Sequence, residues 1–168
     1  MSGPTPVDVE RIRSLLNRGD VAFDDYQDCE LVVPTTNAVY FWNTSNPQIL
    51  QLRGQWRGVA GDDRQFGALA EQVAQCNATR TGPKAFLAPL DDGLRYGLVA
   101  ECNAVAISGL TEDQLSCFCE TSMGMIMSFF HDIEEALPEL VTWEDAPRAI
   151  ADPAEGAAAP VRRAGGAR

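Results

Sequence analysis

Two cysteines separated by one residue, Cys117 and Cys119, have a spacing that suggests metal or redox chemistry. The surrounding segment has helical periodicity, and residues two positions apart on a helix point about 160° away from each other. One ion therefore cannot bind both thiolates. A zinc site would also need two further ligands, and the only histidine, His131, falls on the polar side of the same helix. We interpret the pair as ordinary helix residues, and predict no metal site and no cofactor.

This sequence contains no recognisable set of residues for nucleophilic catalysis. It needs a nucleophile beside a base that a third group orients, and neither GxSxG nor a glycine-rich phosphate loop is present. Glu101 is flanked by apolar strand residues, so burial is expected, with a structural role favoured over catalysis. Lys84, the sole lysine, would form a Schiff base if desolvated. A place beside the carbonyls that end the preceding helix is favoured instead, and we predict no catalytic residue and no enzyme.

The stretch QLRGQWRG, residues 51–58, puts two arginines and a tryptophan into a chain of net charge −11. Apolar and polar residues alternate, which predicts a half-buried strand with Trp56 on its inner face and Arg53 and Arg57 on its outer face. The two arginines then lie about 13 Å apart. Pairing with acids on neighbouring strands is the favoured role, and gripping an acidic or C-terminal group of a partner is the alternative. Gly54, on the inner face, marks either a bulge or the close approach of a helix.

Small side chains recur along the face of the last helix that points away from the core. Glycine inside a helix costs about 1 kcal/mol relative to alanine, and close approach of a second helix, from a twin subunit or a partner, would explain one here. Flexible methionines beside it suit adaptable contacts. The alternative is a tolerated glycine on a solvated face. The stripe comprises Cys117, Thr121, Gly124 and Ser128, bordered by Met125 and Met127.

Hydrophobic periodicity predicts three helices and an antiparallel sheet in the order α-β(3–4)-α-β(2–3)-α, an α+β fold. The first helix has Thr5 as its cap and ends at Gly19. Strand-like segments then read VAFDDY, ELVV, AVYFW and QILQLRGQW, and KAFLAPL and LRYGLVAECNAVAI flank an Asp-Gly hairpin turn. A slip of the apolar phase at residues 101–103 predicts a bend or a bulge there.

The second and third helices have recognisable N-terminal signals. Asp62 with Gln65 resembles a capping box before the second helix. Thr111 with Gln114 makes a capping box before the third helix, which Pro138 closes or kinks.

Composition bounds the location and the partners. The negative charge repels phosphate backbones and anionic lipid, so binding to nucleic acid or to a membrane surface is disfavoured. MSGPTPVDVE lacks the basic start and apolar run of a signal peptide, and MGMIMSFF is far shorter than the ~20 residues that span a bilayer. Five irregularly spaced cysteines indicate reduced thiols and favour the cytoplasm. Residues 1–145 are predicted to form the domain, and 146–168, rich in Ala, Pro and Arg, a disordered tail.

The order and spacing of several segments resemble the YbjN family, whose members are described as bacterial sensory transduction regulators. The resemblance covers the chain up to about Glu139. One departure is Gly82, where a bulky residue is expected before Pro83 and Lys84. The matching segments are VDVERIRSLL, QILQLRGQWRG, CNATRTGPKAFL, DDGLRYGLVAE and GLTEDQL.

The resemblance implies a fold similar to that of type III secretion chaperones, a twisted antiparallel sheet with helices packed on it, in a protein that pairs into dimers. Such chaperones are non-enzymatic and hold extended or amphipathic segments of other proteins. We therefore expect a regulatory or chaperone-like module that binds a protein partner and forms a homodimer. The alternative is a small-ligand sensor or enzyme with a pocket around Glu101, Lys84 and Arg53.

Overall fold

Within residues 3–91 and 93–143, the part of the chain that the computed structural model describes, three α-helices pack on one face of a six-stranded sheet. One helix, four strands, a second helix, two strands and a third helix follow one another, which confirms the predicted α+β fold. A short 3-10 helix, Pro138–Leu140, follows the last helix. The predicted tail, 146–168, lies outside the described residues. The elements are α1 (Val9–Arg18), β1 (Asp24–Gln27), β2 (Glu30–Pro34), β3 (Ala38–Asn43), β4 (Ile49–Ala60), α2 (Asp63–Thr79), β5 (Lys84–Pro89), β6 (Tyr96–Val105) and α3 (Glu112–Ala136).

All neighbouring strands are antiparallel, in the order β1-β2-β3-β4-β6-β5. Of the predicted bend or bulge at residues 101–103, the bulge is wrong, because β6 stays in register with β4 throughout that stretch. The irregularity lies instead in β4, between Gln55 and Val59. There the Trp56 ring covers Gly58 so closely that a Cβ atom on Gly58 would lie 2.0 Å from it. The bulge therefore accommodates the largest side chain of the strand.

The start of α1 differs from the prediction. Asp8, not Thr5, is the N-cap, and its side chain accepts a hydrogen bond from the backbone N–H of Arg11 at 3.0 Å. Thr5 is extended, and its backbone exchanges two hydrogen bonds with Leu110, at 3.1 and 2.9 Å. This bridge ties the N-terminal segment to the start of α3.

The two other helix starts follow their signals. Asp62 caps α2 by accepting from the N–H of Gln65 at 2.8 Å, while the side chain of Gln65 bonds to Gly61. The capping box of α3 forms as predicted between Thr111 and Gln114. No helix in the described part of the chain combines the length and apolarity that a bilayer span requires.

Helix α3 crosses the inner face of β4 at very close range. A Cβ atom on Gly54 would lie 2.7 Å from Cγ2 of Ile126 and 3.0 Å from Phe130. Of the two predicted reasons for this glycine, the close approach of a helix is therefore the correct one. Burial alternates without a break along β4, which confirms the half-buried strand with Trp56 inward.

Candidate functional site beside helix α3

A groove of about 640 Å³ runs between the first half of α3 and the sheet edge formed by β5 and β6. Three α3 residues at a spacing of four, Cys117, Thr121 and Met125, form its helical wall, because such residues share one face of a helix. The opposite wall comes from the segment before β5 and from the second half of β6. Its lining residues are Thr81, Gly82, Pro83, Lys84, Glu101, Cys102, Asn103, Asp113, Gln114, Cys117, Phe118, Thr121, Ser122 and Met125.

Lys84 and Glu101 face each other across β5 and β6 and form the ion pair of this groove. Nζ of Lys84 lies 3.2 Å from Oε1 of Glu101. The lysine side chain is 68% exposed and the glutamate 13% exposed, so only the carboxylate is held in a largely dry setting. Gln51 donates a second hydrogen bond to this carboxylate at 3.4 Å. Lys84 thus lies in a strand and not at the end of α2, where the sequence placed it.

Arg53 does not join this pair. It is opposite Glu101 in the register of β4 and β6, but its guanidinium carbon lies 5.2 Å from the ring centroid of Phe41 and it lines a separate cavity. Arg57 donates two bonds of 3.1 Å to the carbonyl of Thr35, and burial lowers its pKa. Neither arginine shows the predicted pairing with an acid among the described residues. Of the three residues predicted to surround one pocket, Lys84 and Glu101 therefore lie together and Arg53 lies elsewhere.

Because Gly82 has no side chain, the groove beside it is lined by the sulfur-containing side chains of Met125 and Cys102. A Cβ atom on Gly82 would lie 3.1 Å from Sδ of Met125 and 4.0 Å from Sγ of Cys102. A bulky residue at this position, as the sequence resemblance led us to expect, would fill that end of the groove. Burial raises the pKa of the Cys102 thiol, which keeps it protonated and weakly reactive.

The stripe of small residues on α3 is divided by the groove. Cys117, Thr121 and Met125 line it, whereas Gly124 and Ser128 lie exposed beyond it together with Met127, which is 51% exposed. A Cβ atom on Gly124 would meet nothing within 4 Å. No contact within the described chain therefore explains this glycine.

The family model described as "YbjN: Putative bacterial sensory transduction regulator" matches residues 8–135, which is more than half of the chain. The chain belongs to the YbjN family. A solved structure described as "Crystal structure of YbjN, a putative transcription regulator from E. coli" matches with a TM-score of 0.65 and 19% identity, over 79% of this chain and 96% of that chain. At this identity the likeness shows the shared fold alone. A search of curated proteins finds no match, and the likeness to type III secretion chaperones stays a prediction.

The cysteine pair of this YbjN-family chain is split between surface and core. Cys117 is exposed, whereas Cys119 is buried, and burial raises its pKa to about 12. His131 is exposed and lies 3.4 Å from Glu135, away from the groove lining. In the described residues no cluster of three or more His, Cys, Asp or Glu side chains is placed to hold a metal ion.

Sequence reasoning missed part of the groove of this YbjN-family chain. Asp113 and Gln114 line it because the capping box sets the start of α3 beside the sheet edge. Phe118 is half-buried, packs against the core and also reaches the groove. The capping box predicts where α3 begins. It was therefore the sequence signal from which the position of Asp113 and Gln114, in the first turn of α3, could have been inferred.

Proposed function

We propose that this chain is a non-enzymatic regulatory module that binds another protein, and that the groove beside α3 holds an amphipathic helix of that partner. The observation that carries the proposal is the groove itself. Small, thioether and aromatic side chains make up much of its lining, and three of the fourteen lining residues, Lys84, Glu101 and Asp113, are charged. A largely apolar groove with a few charged groups is a suitable receptor for the apolar stripe of a helix.

The two sheet edges favour a helix over an added strand. At the β5 edge, Asn77 donates to the carbonyl of Ala85 and accepts from its N–H, both at 2.9 Å, which occupies the backbone groups that an incoming strand needs. The same strand ends at Pro89, which has no N–H. The opposite edge, β1, has only four residues and begins with Asp24 and Asp25. Short, charged or capped edges resist strand addition.

Charge indicates the character of the partner. Asp113 stands at one end of the groove, and the charge of Lys84 is balanced by Glu101. With a net charge of −11 on the whole chain, a partner helix with basic residues on its polar face is attracted and an anionic surface is repelled. A regulator of this kind would act by holding a protein, not by direct contact with nucleic acid or membrane.

A second observation favours a homodimer. An exposed, uncharged patch beyond the groove consists of Gly124, Met127 and Ser128. Two copies of a chain with a net charge of −11 repel each other, so they can make contact only through an uncharged surface of this kind. The open space around Gly124 would admit a second α3 at close range. We assign this patch to a second copy and the groove to the partner. The five free thiols agree with a reducing compartment, the cytoplasm, and the chaperone-like role belongs to the same proposal.

The test compares three forms of the full chain in pull-downs from the native cell with quantitative mass spectrometry. Thr121→Arg places a long cation on the groove wall, and Ala136→Arg places the same residue on an exposed site of α3 outside the groove. A partner protein retained by the wild type and by Ala136→Arg, but lost with Thr121→Arg, supports the groove. Equal recovery with all three forms refutes it.

A further inference from the structure

The outer face of the sheet, opposite the helices, is concave. Tyr26 of β1 and Phe86 of β5 belong to the two outermost strands, which would lie about 24 Å apart in a flat sheet at ~4.8 Å per strand. Both residues nevertheless line one cavity of about 190 Å³. The sheet must therefore curl around this face, which also explains why Phe41 there is only 2% exposed.

Arg53 is the one cation in the lining of this cavity, and its guanidinium has no hydrogen bond or ion pair with any described residue. Its nearest acid in the register, Glu101, is held by Lys84 and Gln51. Six other arginines in the described chain have a polar partner. These are Arg11 and Arg18 with Glu112, Arg13 with Asp25, Arg57 with Thr35, Arg64 with Glu139, and Arg80 with Asp132.

The lining defines the chemistry of a ligand. The ten lining residues include no acid, although the chain has 24 Asp and Glu against 13 Lys and Arg. Tyr26, Phe41 and Phe86 provide aromatic walls, and Gln55 adds an amide beside Arg53. A planar guanidinium binds a carboxylate through two parallel hydrogen bonds. Aromatic walls around a single cation thus fit an anion with an apolar body.

We propose that this cavity binds small monocarboxylates that carry one aromatic or branched apolar group, with Arg53 holding the carboxylate. The volume sets the size, because a cavity of about 150 Å³ holds one benzene molecule. The cavity of about 190 Å³ therefore accepts one ring together with its carboxylate. The site is independent of the proposed partner groove, since the two share no lining residue.

The test titrates the full chain with benzoate and with benzamide, its uncharged analogue of the same shape, by isothermal calorimetry and by amide NMR shifts. Wild type is expected to bind benzoate, to shift the amides of Gly97 and Val99, and to bind benzamide about tenfold more weakly or not at all, as loss of a charge-assisted pair predicts. Arg53→Gln should lose the preference for the acid. Arg64→Gln removes the same charge at an exposed arginine of α2 that lies outside the cavity, and should keep the preference.

A second variant covers the case in which Arg53→Gln unfolds. Ala88→Leu keeps the arginine and fills the cavity from β5, and should abolish benzoate binding. The proposal is overturned if benzoate and isovalerate both fail to bind the wild type, or if benzoate and benzamide bind equally. It is also overturned if Arg64→Gln weakens benzoate binding as much as Arg53→Gln does.

Discussion

The indole Nε1 of Trp56 donates a hydrogen bond to Oε1 of Glu134 at 3.0 Å. The same oxygen accepts a second bond from Nδ2 of Asn37 at 2.7 Å. Trp56 is fully buried beside the bulge of β4, and Glu134 lies in the last turns of α3. One carboxylate oxygen therefore fastens the last turns of α3 to β4 and to the turn before β3, away from the groove.

Replacing Glu134 by leucine is expected to destabilise the fold. The change leaves the Trp56 N–H and one Asn37 donor without a partner, and an unsatisfied buried donor costs about 1–3 kcal/mol. The measurement is the free energy of unfolding in urea at neutral pH. Glu135→Leu is the matched control, because Glu135 is exposed and contacts only His131 among the described interactions. Equal effects of the two changes would contradict the bridging role of Glu134.

The residues around this bridge show what the sequence can and cannot predict. Alternation along β4 identified Trp56 as inward and Arg53 as outward, because a strand places successive side chains on opposite faces. It could not place the bulge, which depends on how the Trp56 ring settles on Gly58. Nor could it find Glu134, since that contact joins residues 78 positions apart.

Strand register explains the corresponding limits at the candidate site. The sequence singled out Lys84, Glu101 and Arg53 as a group, and they do lie in one row across β5, β6 and β4. Arg53 has a register neighbour on each side, Phe41 of β3 and Glu101 of β6. Its guanidinium lies over the Phe41 ring, and Glu101 pairs with Lys84. Local patterns contain no information on which strands pair or in which register.

Buried thiols make the stability fall at alkaline pH. Burial raises the pKa of Cys119 from 9.0 to about 12, and burial also raises the pKa values of Cys76 and Cys102. Above pH 9 the unfolded chain loses these protons while the native chain retains them. The stabilisation is therefore complete below pH 9 and is lost as pH rises, by at most about 1.4 kcal/mol per pH unit for each thiol.

Urea titrations at pH 8 and pH 10.5 measure this slope. Cys119→Ala lowers the stability at both pH values because it opens a cavity in the core, but it should flatten the fall between them. Cys117→Ala, a change at an exposed thiol on the same helix, should leave the fall as steep as in the wild type. A slope that Cys119→Ala leaves unchanged would show that other groups cause the alkaline loss.

Substituting Gly124 tests the proposed contact between two copies. Gly124→Leu replaces the small residue at which a second α3 would approach, and inside the chain it meets open space, so the fold has no reason to suffer. Leucine is also the better helix former, by roughly 0.5–1 kcal/mol. Sedimentation equilibrium is expected to give a dimer for the wild type and a monomer of unchanged or higher melting temperature for the variant.

Gly67→Leu provides the control for that experiment. Gly67 is an exposed glycine of α2 that likewise has nothing within 4 Å of an added Cβ atom, so this variant gains the same helix propensity away from α3. It should sediment as the wild type does. Because the two variants have the same composition, a difference in mass between them must come from the position of the side chain. Identical masses for the wild type and Gly124→Leu would refute self-association through this patch, while leaving the partner groove to its own test.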